Sequence, residues 1–181
     1  ESGNLRDSAL TSPVINTLDG NTTGAVNAAT VLNLTGTITT INTAYASSGI
    51  IGLGNESVTL TDTSLAADAL NTTNTNTTGT VTVQATTVTG TAGNLVTAYS
   101  AQGSGIDGLG NEAITASGTL TVAQANTLDG YTTGTVNAGS LTTIKGDLSD
   151  LLTAYASNGI TGLGNEAINL DDKSSVSDTD L

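Results

Sequence analysis

Apolar residues recur along this chain in two alternating rhythms. Runs rich in Val, Ile and Thr over 25–34, 56–61, 80–88, 112–117, 135–144 and 166–171 suit the pleated, half-buried surface of a strand. Between them the spacing becomes helical. In 146–155 the residues Leu148, Leu151, Leu152 and Tyr155 fall on one face. The stretch from Val58 to Asn71 reads as β-branched run, turn and helix, with Asp62 or Thr63 as the cap and Asp68 in an early turn. Asp7-Ser8-Ala9-Leu10 resembles the helix start at 62–65, and Ser174 to Leu181 reads as a further helix. Strand and helix alternate about every 27 residues, which calls for parallel strands joined by crossover helices.

The rhythm is carried by near-identical words. Asn16-Thr17-Leu18-Asp19-Gly20 returns in altered form at Asn71 and intact at Asn126, 55 residues apart each time. Thr43-Ala44-Tyr45 recurs as Thr97-Ala98-Tyr99 and Thr153-Ala154-Tyr155, and Gly52-Leu53-Gly54-Asn55-Glu56 recurs at 108–112 and 162–166. The middle copy is shorter by one residue between Gly79 and Gly90, and its loop after Tyr99 is longer by two. Length changes of this kind locate loops. The chain divides into a partial unit at 1–15 and repeats at 16–70, 71–125 and 126–181. Each repeat holds two strand-helix coils. Recurrence of the same residues suits a stack in which every coil meets the same neighbour, and argues against a closed barrel or doubly wound sheet. The predicted fold is an α/β repeat solenoid, with one parallel β-sheet along one side and short crossover helices along the other, about 27 residues per coil. Neither end carries an obvious polar cap, so a longer array or a partner copy is expected to continue the stack.

Thr-Ala-Tyr-Ala-Ser, then Gly-Leu-Gly-Asn-Glu-Ala, and Asn126-Thr-Leu-Asp-Gly-Tyr-Thr-Thr-Gly-Thr-Val-Asn-Ala138, together resemble the repeat regions of very large secreted or cell-surface proteins of marine bacteria and cyanobacteria. Those regions are often labelled adhesin-like or haemolysin-type calcium-binding. The resemblance covers nearly the whole chain and implies an extracellular or cell-surface, adhesive or structural role. It carries over no catalytic or binding residue. The Gly-Gly-x-Gly-x-Asp nonapeptide of haemolysin-type calcium repeats is missing from the sequence, so calcium binding does not come with it.

Composition narrows the picture further. There is no Phe, Trp, Met or Cys and aromatics are 2%, so the core is built from Leu, Ile, Val, Ala and Thr methyl groups and must be thin. Sixteen acids against three bases (Arg6, Lys145, Lys173) give a net charge of −13, which repels nucleic acid. No apolar run approaches the ~18 residues of a membrane helix. Any export signal is expected outside this segment. Without His or Cys there is no Ser-His-Asp or Cys-His arrangement and no usual zinc ligand set. Apart from Glu1, each Glu occupies one repeat position (Glu56, Glu112, Glu166), whereas a catalytic carboxylate pair needs two unlike environments. A non-enzymatic protein is expected.

The Gly-Leu-Gly-Asn-Glu word admits two explanations. The favoured one is structural, with glycines for special backbone angles and the Asn side chain bonding the loop backbone. The other is a calcium site built from Asn55 and Glu56, Asn111 and Glu112, and Asn165 and Glu166. Asp19-Gly20 and Asp129-Gly130 read as turns, because the middle copy has Asn74-Thr75 there. Tyr45, Tyr99 and Tyr155 are expected to close the core at a helix end, and Tyr131 to be a surface contact, for instance to a surface glycan. The Thr-rich runs at 78–82 and 37–40 suggest an alternative role in binding ice or a crystalline polysaccharide. A viral fibre shaft would share most of these features. The leading expectation is a structural or adhesive repeat whose partners are itself or adjacent repeats, end to end.

Overall fold

The computed structural model describes residues 3–171. Its strands are β1 (Gly3–Asn4), β2 (Ala9–Thr11), β3 (Val26–Asn27), β4 (Asn33–Gly36), β5 (Ile50–Ile51), β6 (Ser57–Leu60), β7 (Ser64–Ala66), β8 (Val81–Thr82), β9 (Thr87–Thr91), β10 (Ile106–Asp107), β11 (Ala113–Thr121), β12 (Val136–Gly146), β13 (Ile160–Thr161) and β14 (Ala167–Leu170). The helices are α1 (Ser12–Gly20), α2 (Ile38–Ala46), α3 (Ala67–Asn76), α4 (Ala92–Ser100), α5 (Val122–Tyr131) and α6 (Leu148–Ala156). The fold is α/β, with strands and helices in alternation. Each helix packs on the next, α1 on α2 through to α5 on α6. The helix expected over 174–181 lies outside the described residues.

Every named strand pairing is parallel, but the single sheet expected is divided into three. One holds β1, β3 and β5; a second runs β2-β4-β6-β8-β10; the third runs β7-β9-β11-β12, with β13 and β14 both on β12. The register explains the division. Leu10, Leu34, Val58, Val81 and Ile106 lie side by side across the second sheet. Leu65, Val88, Ile114, Val136 and Ile160 do so across the third. Paired neighbours are 22 to 26 residues apart in these rows, so two steps fall short of the 55-residue repeat. Val58 shares a row with Leu10, yet its repeat equivalent is Gly3. The surplus is spent as extended chain in β6, β7 and β11, which carries the path along the strand direction. In consequence β2 and β4 precede α1 and α2, whereas β8 and β10 of the same sheet follow α3 and α4.

These rows are the core. Leu34, Val58, Val81, Ile106, Val88, Ile114 and Val136 are fully buried and meet Ile15, Ile41, Leu70, Leu95 and Leu128 from the helices. Aliphatic side chains of this size fill a narrow space without aromatics.

Two expected helix starts are strands. Ser64–Ala66 pairs with β9 and Ala9–Thr11 with β4, so α3 begins at Ala67 and α1 at Ser12, with Pro13 in its first turn where a missing N–H costs nothing. Asp62 does not cap its own helix. Its carboxylate accepts a hydrogen bond from Ile38 N (2.7 Å), at the first turn of the neighbouring α2. A carboxylate is favourable there because the first N–H groups of a helix lack partners and carry partial positive charge. Leu148, Leu151, Leu152 and Tyr155 do lie on a helix, although Leu152 and Tyr155 are exposed.

Candidate functional site: glutamate anchors between units

All six glycines of the three Gly-Leu-Gly words, at 52, 54, 108, 110, 162 and 164, have φ between 80° and 135°. A side chain is strained in that region, so the word folds into a loop that only glycine permits. The loop turns back on the Glu that follows it. Glu56 is fully buried, and its Oε2 accepts from Gly54 N (2.8 Å) and Asn55 N (3.2 Å), while Oε1 accepts from the Tyr45 hydroxyl. Glu166 repeats this with Gly164 N (2.8 Å), Asn165 N (3.1 Å) and the Tyr155 hydroxyl. In the middle copy both Gly110 N (2.8 Å) and the Tyr99 hydroxyl (3.0 Å) donate to Glu112 Oε2, and the buried Oε1 has no partner.

Tyr45 and Tyr99 pack on the core and hold the carboxylates as well, whereas Tyr155, expected in the same role, is exposed and holds Glu166 without closing the core. Burial, followed by the neighbouring carboxylate, pushes Tyr45 and Tyr99 far above the ordinary tyrosine range. The more exposed Tyr155 is pushed up to about 12 by the same causes. Burial pushes Glu166 up, but the Tyr155 hydroxyl and the N–H groups of the loop outweigh it and hold the carboxyl below its usual value.

The second half of the anchor comes from the next unit. Thr77 donates its hydroxyl to the Glu56 carbonyl oxygen (2.6 Å) and accepts from Gly79 N (3.0 Å). Thr132 does the same with Glu112 O (2.7 Å) and Gly134 N (2.9 Å). Thr78 N and Thr133 N donate to Gly54 O and Gly110 O, both at 2.9 Å. The backbones approach so closely that a Cβ at Gly79 or Gly134 would overlap the carbonyl group of Glu56 or Glu112. The Gly-Leu-Gly-Asn-Glu words at 52–56 and 108–112 are thus docked on the Thr-Thr-Gly words of the following units.

Further repeated residues tie neighbouring helices. Asn16, Asn71 and Asn126 donate side-chain N–H to the backbone oxygens of Thr40, Asn94 and Asp150 on the next helix (2.9, 2.9 and 3.3 Å). Asp19 and Asp129 are not turn residues. They sit in the last turns of α1 and α5, where their carboxylates accept from the hydroxyls of Ser47 (2.6 Å) and Ser157 (2.7 Å) in the loop of the next coil. Asn74 occupies this place in the middle copy, close against Gly105 of the loop that is two residues longer.

Of the calcium candidates, Asn55, Asn111 and Asn165 have exposed side chains, and loop bonding falls to the Glu side chain, not the Asn side chain. N–H and O–H donors converge on Glu56, Glu112 and Glu166, an environment complementary to an anion rather than to a cation. Among the described residues no three His, Cys, Asp or Glu side chains gather where a metal could be held. Tyr131 is partly exposed, with one face stacked on Tyr99 at 6.1 Å between ring centroids. The Thr37–Thr40 run enters α2, with Thr37 as its cap, and forms no flat array. A different rank exists that no sequence word revealed: Thr11, Thr35, Thr59 and Thr82 lie side by side on the outer face of the second sheet.

No protein-family model, no curated protein and no solved structure matches this chain. Among the described residues, no helix is long and apolar enough to cross a membrane.

Proposed function

We propose that this chain is a non-enzymatic structural repeat segment of an extracellular or cell-surface protein, an α/β solenoid that works as an adhesive spacer or filament element. The observation that carries it is the glutamate anchor: the residues repeated most faithfully are spent joining one unit to the next. Tyrosines held neutral and carboxylates surrounded by donors are suited to fixing loops, not to moving protons. The acidic surface and the resemblance of the repeated words to giant surface proteins support the location. The test is electron microscopy and small-angle scattering of the chain beside a variant with an extra copy of 71–125. A rod of constant width that lengthens by one increment is expected. A compact particle that swells in all directions would exclude the spacer role.

The rank of Thr11, Thr35, Thr59 and Thr82 favours a second function, binding a regular polymer such as a crystalline polysaccharide, since parallel strands place these groups about 4.8 Å apart. Co-sedimentation with such a solid tests it. Retention that survives a Thr35→Lys/Thr59→Lys change would remove the rank from consideration.

A further inference from the structure

The sequence holds one Asn-Gly pair, Asn158-Gly159, in the loop between α6 and β13. Glycine has no Cβ to hinder attack of its own nitrogen on the preceding side chain, so this pair closes into a cyclic imide more readily than any other Asn pair. Asn158 is exposed, and so is its equivalent Ser48, which lies inside the first repeat with further coils after it. The Gly159 nitrogen, by contrast, is held. It donates to Ser157 Oγ (3.0 Å), and Ser157 Oγ donates to Asp129 Oδ2 (2.7 Å). The other Asp129 oxygen lies so near Gly159 that a Cβ there would overlap it. On its far side the Gly159 carbonyl accepts from Val136 N (2.8 Å). Asp19, Ser47 and Gly49 repeat this clamp around Ser48, with bonds of 2.6 and 3.0 Å.

We propose that Asn158 is a site of spontaneous deamidation guarded by the preceding coil, through the clamp that Asp129 and Ser157 close on the Gly159 nitrogen. In the reaction, hydroxide takes the proton from Gly159 N, the nitrogen bonds to Asn158 Cγ, and the side-chain nitrogen gains a proton from water and leaves as ammonia. Water then opens the imide at either carbonyl, which yields aspartate or isoaspartate. The hydrogen bond to Ser157 keeps the proton on the nitrogen, and the adjacent Asp129 carboxylate opposes the nitrogen anion that attack requires. Asp129 belongs to α5, so the clamp is complete only while the two coils are docked, and deamidation records each opening of their junction. The products act on the same junction. Both place a new carboxylate near Asp129, and isoaspartate also lengthens the backbone just before the Gly159 carbonyl and the Ile160–Val136 pairing, which loosens β13 from β12.

Peptide mapping by mass spectrometry of the 181-residue chain, incubated near neutral pH, follows Asn158 with time. The folded chain is expected to react about tenfold or more slowly than the chain unfolded in guanidinium, because only the open fraction reacts. Ser157→Ala and Asp129→Ala, each folded by circular dichroism, are expected to react faster than the parent, and Ser157→Thr, which keeps the hydroxyl, at nearly the parent rate. Ser48→Asn sets a second pair in the intact clamp of the first repeat and is expected to be as slow as Asn158. A parent that reacts as fast folded as unfolded overturns the guard, as does a folded Ser157→Ala that keeps the parent rate or a Ser157→Thr as fast as Ser157→Ala. Should the alanine variants fail to fold, Ser48→Asn decides: rapid reaction there, with the clamp intact, overturns the proposal.

Discussion

Replacing each anchor glutamate by glutamine should have unequal effects, although the three sites share a sequence word. At Glu56 the carboxylate accepts three hydrogen bonds, two at one oxygen and one at the other. Glutamine can keep its oxygen toward Gly54 N and Asn55 N, but its NH2 then faces the Tyr45 hydroxyl, which must rotate to accept. A hydrogen bond to a charged group is worth about 1.5–3 kcal/mol and a neutral one about 0.5–1.5, so three weakened bonds cost roughly 3 kcal/mol. At Glu112 both bonds converge on Oε2 and the buried Oε1 is unpartnered. Glutamine leaves both acceptor bonds in place, and its NH2 replaces the unpartnered carboxylate oxygen with a neutral group that also lacks a partner. The neutral group costs less to bury unpaired than the carboxylate oxygen, which offsets much of the roughly 2 kcal/mol lost from two weakened bonds. Glu56→Gln should therefore unfold about 6–12 °C below the parent and Glu112→Gln within a few degrees of it, at about 2–4 °C per kcal/mol for a chain of this length. Thermal scans followed by circular dichroism measure the difference. A Glu112→Gln variant as damaged as Glu56→Gln would show that the unequal bonding is not what fixes these loops.

Alkali should attack the same anchors. The folded forms of Tyr45, Tyr99 and Tyr155 hold their protons above the ordinary range, so their contribution is intact below about pH 10 and falls as pH rises past it toward the folded values. Phenolate absorbance and loss of circular dichroism should rise together. Early ionisation of all three with the fold intact would contradict this. Gly79→Ala and Gly134→Ala, forced against a carbonyl group, should each cost about 1–3 kcal/mol, whereas Gly93→Ala in open space on α4 should be neutral or stabilising in urea titrations. Calcium should leave the thermal midpoint where a chelator leaves it. A large saturating rise with calcium would mean that the donors around the glutamates rearrange to admit a cation.

The alternation of parallel strands and crossover helices was legible because β-branched runs and helical spacing are local signals, as at 57–60 and 148–156. The strand starts before α1 and α3 were not. Asp62-Thr63-Ser64-Leu65 has the composition of a helix cap, and only pairing of Leu65 with Val88, far along the chain, keeps it extended. The threonine rank was hidden for a related reason. Its members recur at the step of the sheet register, not at the 55-residue period, so a search by repeat position separates them. The partnership of Tyr and Glu was within reach. Tyr45, Tyr99 and Tyr155 each precede a Glu by 11, 13 and 11 residues, and words that always travel together are candidates for contact. What no spacing could give was direction: that the Glu carboxylate faces its own loop, while its carbonyl faces the next unit's threonine.

Because the Glu56 and Glu112 words are each completed by the Thr-Thr-Gly word of the following unit, a gene built this way can be lengthened or shortened by unequal recombination at almost any point within the repeat. An exchange in phase returns the Glu words to threonines and the Asn side chains to the next helix, and only the contact of Asp19 or Asp129 with its serine, replaced in the middle copy by Asn74 beside a longer loop, depends on where the crossover falls. An exchange out of phase by one coil of about half a repeat lacks that protection, since the alternate coils carry different words. Length variation among descendants should accordingly come in whole 55-residue steps, and copy number becomes a trait that selection can tune separately from the fold.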